Sequence, residues 1–231
     1  MKNYVIGADL LRREVKATRL GDVKGVQSFC LYNDKYYSTD GKHMYVQDRE
    51  FRLLEEKELD VGHGNALQLG CSHYAYASGW DDQKVYVVDL DTLSISEVID
   101  LGTTGYTTCA VDDLNGIIYI FQRDSYPTSI VHYNFIRYDL KARKVLSTRR
   151  INAFSAMQAC DFYNGKIAVG WGLGTEASPS GMAIYNSEGD ILAEYHLEIY
   201  EHNEPEGICF DRKNKTLLHA MLRTVYEITA V

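Results

Sequence analysis

The segment VQSFCLYN at residues 26–33 decides the fold, because it returns four times in altered form. Its counterparts are GNALQLGC (64–71), YTTCAVDD (106–113), MQACDFYN (157–164) and PEGICFDR (205–212). Each opens on a polar residue, follows it with a small one, and runs apolar into a turn. The polar openers are Gln27, Asn65, Thr107, Gln158 and Glu206, and their small followers are Ser28, Ala66, Thr108, Ala159 and Gly207. Successive openers stand 38, 42, 51 and 48 residues apart. Self-similarity at such a period marks a repeat architecture.

Between openers, each interval holds three further short runs that alternate apolar and polar residues and break at Gly, Asn or Asp. They are KYYST, HMYVQD and EEKELD in the first unit, then HYAYAS, KVYVVDLDT and SISEVIDL in the second. The third has GIIYIFQ, NFIRYDLK and KVLSTRR, and the fourth KIAVGWG, GMAIYNSEG and ILAEYHLE. Four antiparallel strands per repeat of this length describe a β-propeller blade. The fifth unit ends after TLLHAML and TVYEITAV, one strand short, and EVKATRL at 14–20 supplies the missing outer strand from the other end of the chain. Pairing those two edges closes the ring and removes an exposed edge. The expectation is one all-β domain over residues 1–231, a five-bladed β-propeller of four-stranded antiparallel blades closed by an N-terminal outer strand. A β-sandwich also has many short strands, but it does not call for five aligned starts. Residues 1–10 have no assigned place.

Composition narrows the partners. The 231 residues are 45% hydrophobic and 24% charged, which excludes a disordered chain, a collagen repeat and a coiled coil. Lys and Arg number 24 against 32 Asp and Glu, a net charge of −8, which disfavours nucleic acid and anionic membranes alike. A long run free of charged side chains, 62–80, carries four glycines and two histidines and does not read as a membrane span. The N-terminal stretch lacks a continuous apolar segment and a small-residue cleavage site, so no signal peptide is read. The five cysteines, Cys30, Cys71, Cys109, Cys160 and Cys209, form no C-x-x-C pair. They read as buried free thiols, slow to react, in a reducing, cytoplasmic setting.

Blade topology sorts the loops onto two faces. The tight turns at Asn33-Asp34, Asp113–Gly116, Asn164-Gly165 and Arg212–Asn214 share the lower face, where ordinary turn chemistry gives no reason to expect a site. The upper face gathers the five openers, with His63 and Glu204 just ahead of two of them. It also gathers Trp80 and Trp171 at matching strand ends, Asp81, Asp82 and Asp124–Pro127, and the insertions at 125–129 and 173–181. Loops on a rigid scaffold carry function in this way. The candidate ligand-binding residues are therefore Gln27, His63, Asn65, Trp80, Thr107, Gln158, Trp171, Glu204 and Glu206. Amides with one acid at the axis suit hydrogen bonding to a small polar ligand such as a glycan, or oxygen ligation of Ca²⁺, better than proton transfer. The same openers also suit a structural role, holding the blade starts and axial water, and the tryptophans suit packing between blades as well as an aromatic platform. No G-x-S-x-G, phosphate loop or H-x-x-x-H pair occurs.

The starts QSF, GHGN-AL, MQA and EPEGI resemble those of five-bladed propellers in modules that recognise cell-wall glycans, including receptor-binding proteins of phage tails. That resemblance implies a polysaccharide ligand. EPEGI is also similar to a start in six-bladed lactonase-like propellers, which implies several metal-binding acids around the axis; only Glu206 matches. Three classes stay open: a binding module for a small polar ligand, foremost a glycan, at the axial mouth; a carbohydrate-active enzyme, glycoside hydrolase or lactonase-like, using Glu206 and neighbouring acids; and a protein-interaction platform.

Overall fold

A computed structural model describes residues 15–123, 131–153, 156–197, 199 and 202–230. Residues 1–10, and the loop positions Asp124–Pro127 and 125–129 singled out above, lie outside the described residues.

Among the described residues, twenty strands form five four-stranded antiparallel sheets. Blade 1 comprises β2 (Ser28–Tyr32), β3 (Lys35–Thr39), β4 (His43–Gln47) and β5 (Leu53–Glu58). Blade 2 comprises β6 (Ala66–Leu69), β7 (Tyr74–Ser78), β8 (Lys84–Asp89) and β9 (Ser94–Asp100). Blade 3 is β10 (Tyr106–Asp112), β11 (Ile117–Arg123), β12 (Val131–Asp139) and β13 (Lys144–Ala153). Blade 4 is β14 (Met157–Tyr163), β15 (Lys166–Trp171), β16 (Gly181–Asn186) and β17 (Ile191–Tyr195). Blade 5 takes β18 (Pro205–Asp211), β19 (Thr216–Met221) and β20 (Thr224–Ala230), and its outer strand is β1 (Val15–Asp22) from the start of the chain. β1 pairs antiparallel with β20 from Val15↔Ala230 to Asp22↔Thr224, within two residues of the expected 14–20. At the lower rim Arg49 of blade 1 pairs with Asp211 of blade 5 across the seam between the two blades, and with Asp34 of its own blade, each at 3.1 Å. Among the described residues no helix is long and apolar enough to cross a membrane.

Burial falls from axis to rim. The inner strands are nearly sealed, as in β10 and β14, whereas all six residues of the outer β5 are exposed. That gradient explains the opener pattern. The small residue in second place lies where the next blade crosses. Ser28 donates through Oγ to Gly64 O at 2.6 Å, and Thr108 Oγ1 donates to Met157 O at 3.1 Å. Any Cβ at Gly207 would come within 2.5 Å of the Phe29 ring. Farther down the axis, buried Asp161 accepts from Phe162 N at 2.8 Å and Phe210 N at 2.7 Å, tying blade 4 to blade 5. β6 touches β14 and β18 as well as its ring neighbours β2 and β10, so the axis is filled at this level.

Four thiols follow the expectation: Cys30, Cys109, Cys160 and Cys209 sit on inner strands at 0–2% exposure. Cys71 does not. It lies in the turn after β6, outside the double-sided packing that buries the others, and is exposed.

Two outcomes follow. A chain lacking everything through Asp22 leaves β20 as an open, alternating apolar edge and should lose its cooperative melt and aggregate, as read by circular dichroism and light scattering. A soluble monomer with an unchanged melt would contradict the closure. Native labelling with a thiol reagent should modify one cysteine quickly, identified by peptide mass as Cys71, and the other four only on unfolding.

Candidate functional site

The inner strands of blades 4 and 5 depart from the other three in one respect. Met157 pairs with Trp171 and Ala159 with Gly170, so Gln158 is the extra residue of a β-bulge. Pro205 pairs with Met221 and Gly207 with Ala220, so Glu206 is another. A bulge re-aims the side chain of its extra residue and is common beside functional sites. Both side chains are 7% exposed. Gln158 donates through Nε2 to the Glu204 carboxylate, and Glu204 in turn is anchored by Leu222 N donating to its carbonyl at 2.9 Å. Pro205 between the two acids holds Glu204 extended. The result is a carboxyl pair at the top of the axis with one amide against it.

Burial, with a smaller push from Glu204, raises Glu206 to about 8. Burial also raises Glu204, and the Gln158 amide opposes that rise. Among the described residues no cation acts on either group. At neutral pH Glu206 therefore holds its proton beside an acceptor, a state in which it both donates and accepts.

Across blades 2 and 3, Arg123 ends β11 at 2% exposure, caged by aromatic rings. Its guanidinium lies 5.4 Å from the Trp80 ring, 5.3 Å from Tyr106 and 5.8 Å from Tyr133. Tyr133 accepts from Met157 N at 2.9 Å, which connects this cage to the bulge at Gln158. Arg123, Tyr106 and Tyr133 were not among the residues expected from the sequence. The available signal was an arginine closing the otherwise apolar strand GIIYIFQR.

The remaining candidates take separate places. Asn65 is fully buried; its Nδ2 donates to Thr108 Oγ1 and, at 3.3 Å, to Met157 O, while its Oδ1 has no hydrogen-bond partner. Gln27 is half-buried, and its Oε1 is likewise unpartnered. Thr107 turns between blades 2 and 3, donating to Gly79 O at 3.1 Å, and it is Thr108 that meets Asn65. His63 is exposed at the rim, 5.2 Å from the half-buried Trp80 ring. Trp171 is 3% exposed, laid over Gly181 and edge-on to His196 at 5.1 Å, so it packs the blade and offers no open platform. Asp82 is tied into its own turn by Lys84 N and the Tyr86 hydroxyl.

No family profile matches the sequence, and no curated protein matches it by sequence. Solved structures do match in shape. Glutaminyl cyclase from Myxococcus xanthus superposes with a TM-score of 0.64 at 9% identity, over 94% of this chain and 96% of its own. Hydrazine synthase from Kuenenia stuttgartiensis gives a TM-score of 0.53 at 14% identity over 84% of this chain. The chain spans 61% of that hydrazine synthase chain. At these identities the likeness shows the propeller fold and nothing finer. The likeness to phage receptor-binding modules rests on the short sequence starts alone.

The carboxyl pair predicts a signed pH effect. Glu206 binds its proton more tightly folded than unfolded, where it titrates near 4.5. Its contribution is neutral below about 4.5 and becomes a penalty as pH rises to about 8, with a slope of at most about 1.4 kcal/mol per pH unit. Glu206→Gln lacks that titration. The melting temperature of the variant minus that of the native chain should therefore grow from pH 5 to pH 8, and a flat difference would place an ordinary carboxylate at this position.

Proposed function

We propose that the chain binds a small polar ligand at the upper mouth of its axis, contacted by Glu204, Glu206 and Gln158. The observation that carries this reading is Glu206: a residue 7% exposed, set in a bulge, its carboxyl beside a second acid and, among the described residues, no cation. Nothing in folding requires that arrangement, which costs stability at neutral pH. Strongly perturbed groups of this kind concentrate at functional sites. The oxygens gathered here and at Gln27 and Asn65 call for a partner rich in hydrogen-bond donors or carrying positive charge. A glycan meets the call through its hydroxyls, held by hydrogen bonds and not by tryptophan stacking, since Trp171 is sealed and Trp80 already packs on His63, Tyr106 and Arg123. Ca²⁺ meets it through carboxylate and amide oxygens.

A second reading, an enzyme, is favoured by the same carboxyl. A group titrating near 8 is poised for general acid–base work at neutral pH. One propeller of matching shape is a glutaminyl cyclase, and closing a ring on an amide is chemistry that needs a proton moved in each direction.

The test is a thermal-shift panel of sugars and small amines, each with and without Ca²⁺, on the native chain, Glu204→Gln and Glu206→Gln. A compound that raises the native melting temperature should raise neither variant's by more than a small part: Glu204→Gln loses a charge-assisted hydrogen bond worth about 1.5–3 kcal/mol, and Glu206→Gln loses the carboxyl proton held beside it. If both variants keep the full shift, the binding surface lies away from the mouth.

A further inference from the structure

The lower face also carries a cleft. Its volume is about 550 Å³, in the range of small-molecule sites, and four of the five blades contribute to it. Cys71 comes from blade 2, Asp112 and Asp113 from blade 3, Phe162 and Tyr163 from blade 4, and Arg212 from blade 5. No single stretch of sequence points to it, because each turn alone has ordinary turn chemistry; the cleft exists only where the turns meet around the axis.

Two opposite charges in this cleft grip the same short turn without gripping each other. Arg212 reaches across the axis and donates to Leu69 O and, at 2.6 Å, to Gly70 O. Asp113 Oδ2 accepts from Cys71 N at 2.6 Å. Guanidinium and carboxylate thus sit on consecutive residues of one turn, and no ion pair joins them among the described residues. A guanidinium has five N–H donors, and the two bonds to the turn leave three. Its Cζ lies over the Tyr163 ring, 5.6 Å from the centroid. Asp112, the other carboxylate lining the cleft, is already held by Asn115 through N at 3.2 Å and Nδ2 at 2.7 Å. Beside the cleft, Gln68 donates to Val111 O at 2.7 Å while its own buried carbonyl oxygen has no hydrogen-bond partner among the described residues. The walls are aromatic: Tyr119 and Phe162 stack at 5.4 Å, and Tyr163 lies beside them.

We propose that this cleft binds a free amino acid or a zwitterion of that class, its carboxylate on Arg212, its ammonium group on Asp113 and its side chain against Tyr119, Phe162 and Tyr163. An anion alone would face Asp112 and Asp113, and a cation alone would face Arg212. A molecule bearing both charges a few bonds apart satisfies the separated pair. This site is independent of the one at the upper mouth.

Cys71 is a built-in reporter, since it lines the cleft and the other four thiols are buried. The experiment measures the rate of native thiol labelling at Cys71 with each protein amino acid at millimolar concentration. At least one should slow labelling saturably, by about tenfold or more. Its N-acetyl and its carboxamide derivatives should protect at least about tenfold more weakly, each having lost one charge-assisted contact. Asp113→Asn and Arg212→Lys should each weaken protection by the native amino acid to a similar degree. Should Arg212→Lys fail to fold, Asp113→Asn and the two derivatives still decide. Calorimetry on Cys71→Ser with the same amino acid should show binding preserved. The proposal is overturned if no amino acid slows labelling, if the capped derivatives protect as well as the free one, or if binding disappears with the thiol.

Discussion

Everything in this molecule depends on how closely five inner strands approach one axis. At the upper end of those strands there is room for one small residue per blade and no more. Ser28 and Thr108 use that place to donate to the next blade's backbone, and Gly207 uses it to let Phe29 in. The polar residue just before the small one is then left at the mouth. The repeated polar-small-apolar start is thus the sequence image of a packing constraint, with the apolar run sealing the strand between its neighbours. Side chains in such interiors interlock at crystal-like density, so the constraint tolerates little change in size.

The same closeness explains what was legible in the sequence. Blade number and strand order were readable because each blade repeats one local pattern, and the closing strand was readable because the fifth unit is one strand short. The burial of four cysteines followed from their place in inner strands, while Cys71 escaped because it sits one step past the strand, in a turn. Register at the strand starts was not legible. Gln158 and Glu206 carry no local mark of a bulge, yet the bulge is what sets them apart from Gln27 and Asn65. Nor was the shift from Thr107 to Thr108 as the residue meeting Asn65, because two successive threonines look alike until the pleat assigns each a face. The Arg123 cage and the lower cleft depend on side chains from different blades, and no single stretch encodes such a meeting.

The two ends of the axis carry their charges differently. Above, two acids lie together with an amide and, among the described residues, no cation, an arrangement that costs folding free energy at neutral pH. Below, buried Asp161 is relieved by two backbone donors and the nearby Arg212, though burial still holds it up at about 7. Asp161 joins strands and so has a structural reason to be buried; among the described residues no side-chain hydrogen bond ties Glu206 to another strand. That contrast, more than the acidity itself, separates a site from a strut.

The account turns on Glu206 being a proton-holding carboxyl at neutral pH. The most direct measurement is a carboxyl-carbon NMR titration of selectively labelled glutamate, with Glu206→Gln to assign the resonance. An apparent midpoint near 8 is expected for Glu206, falling when Glu204 is replaced by Gln. A midpoint near 4.5, unmoved by that replacement, would mean an ordinary solvated carboxylate and would contradict the site.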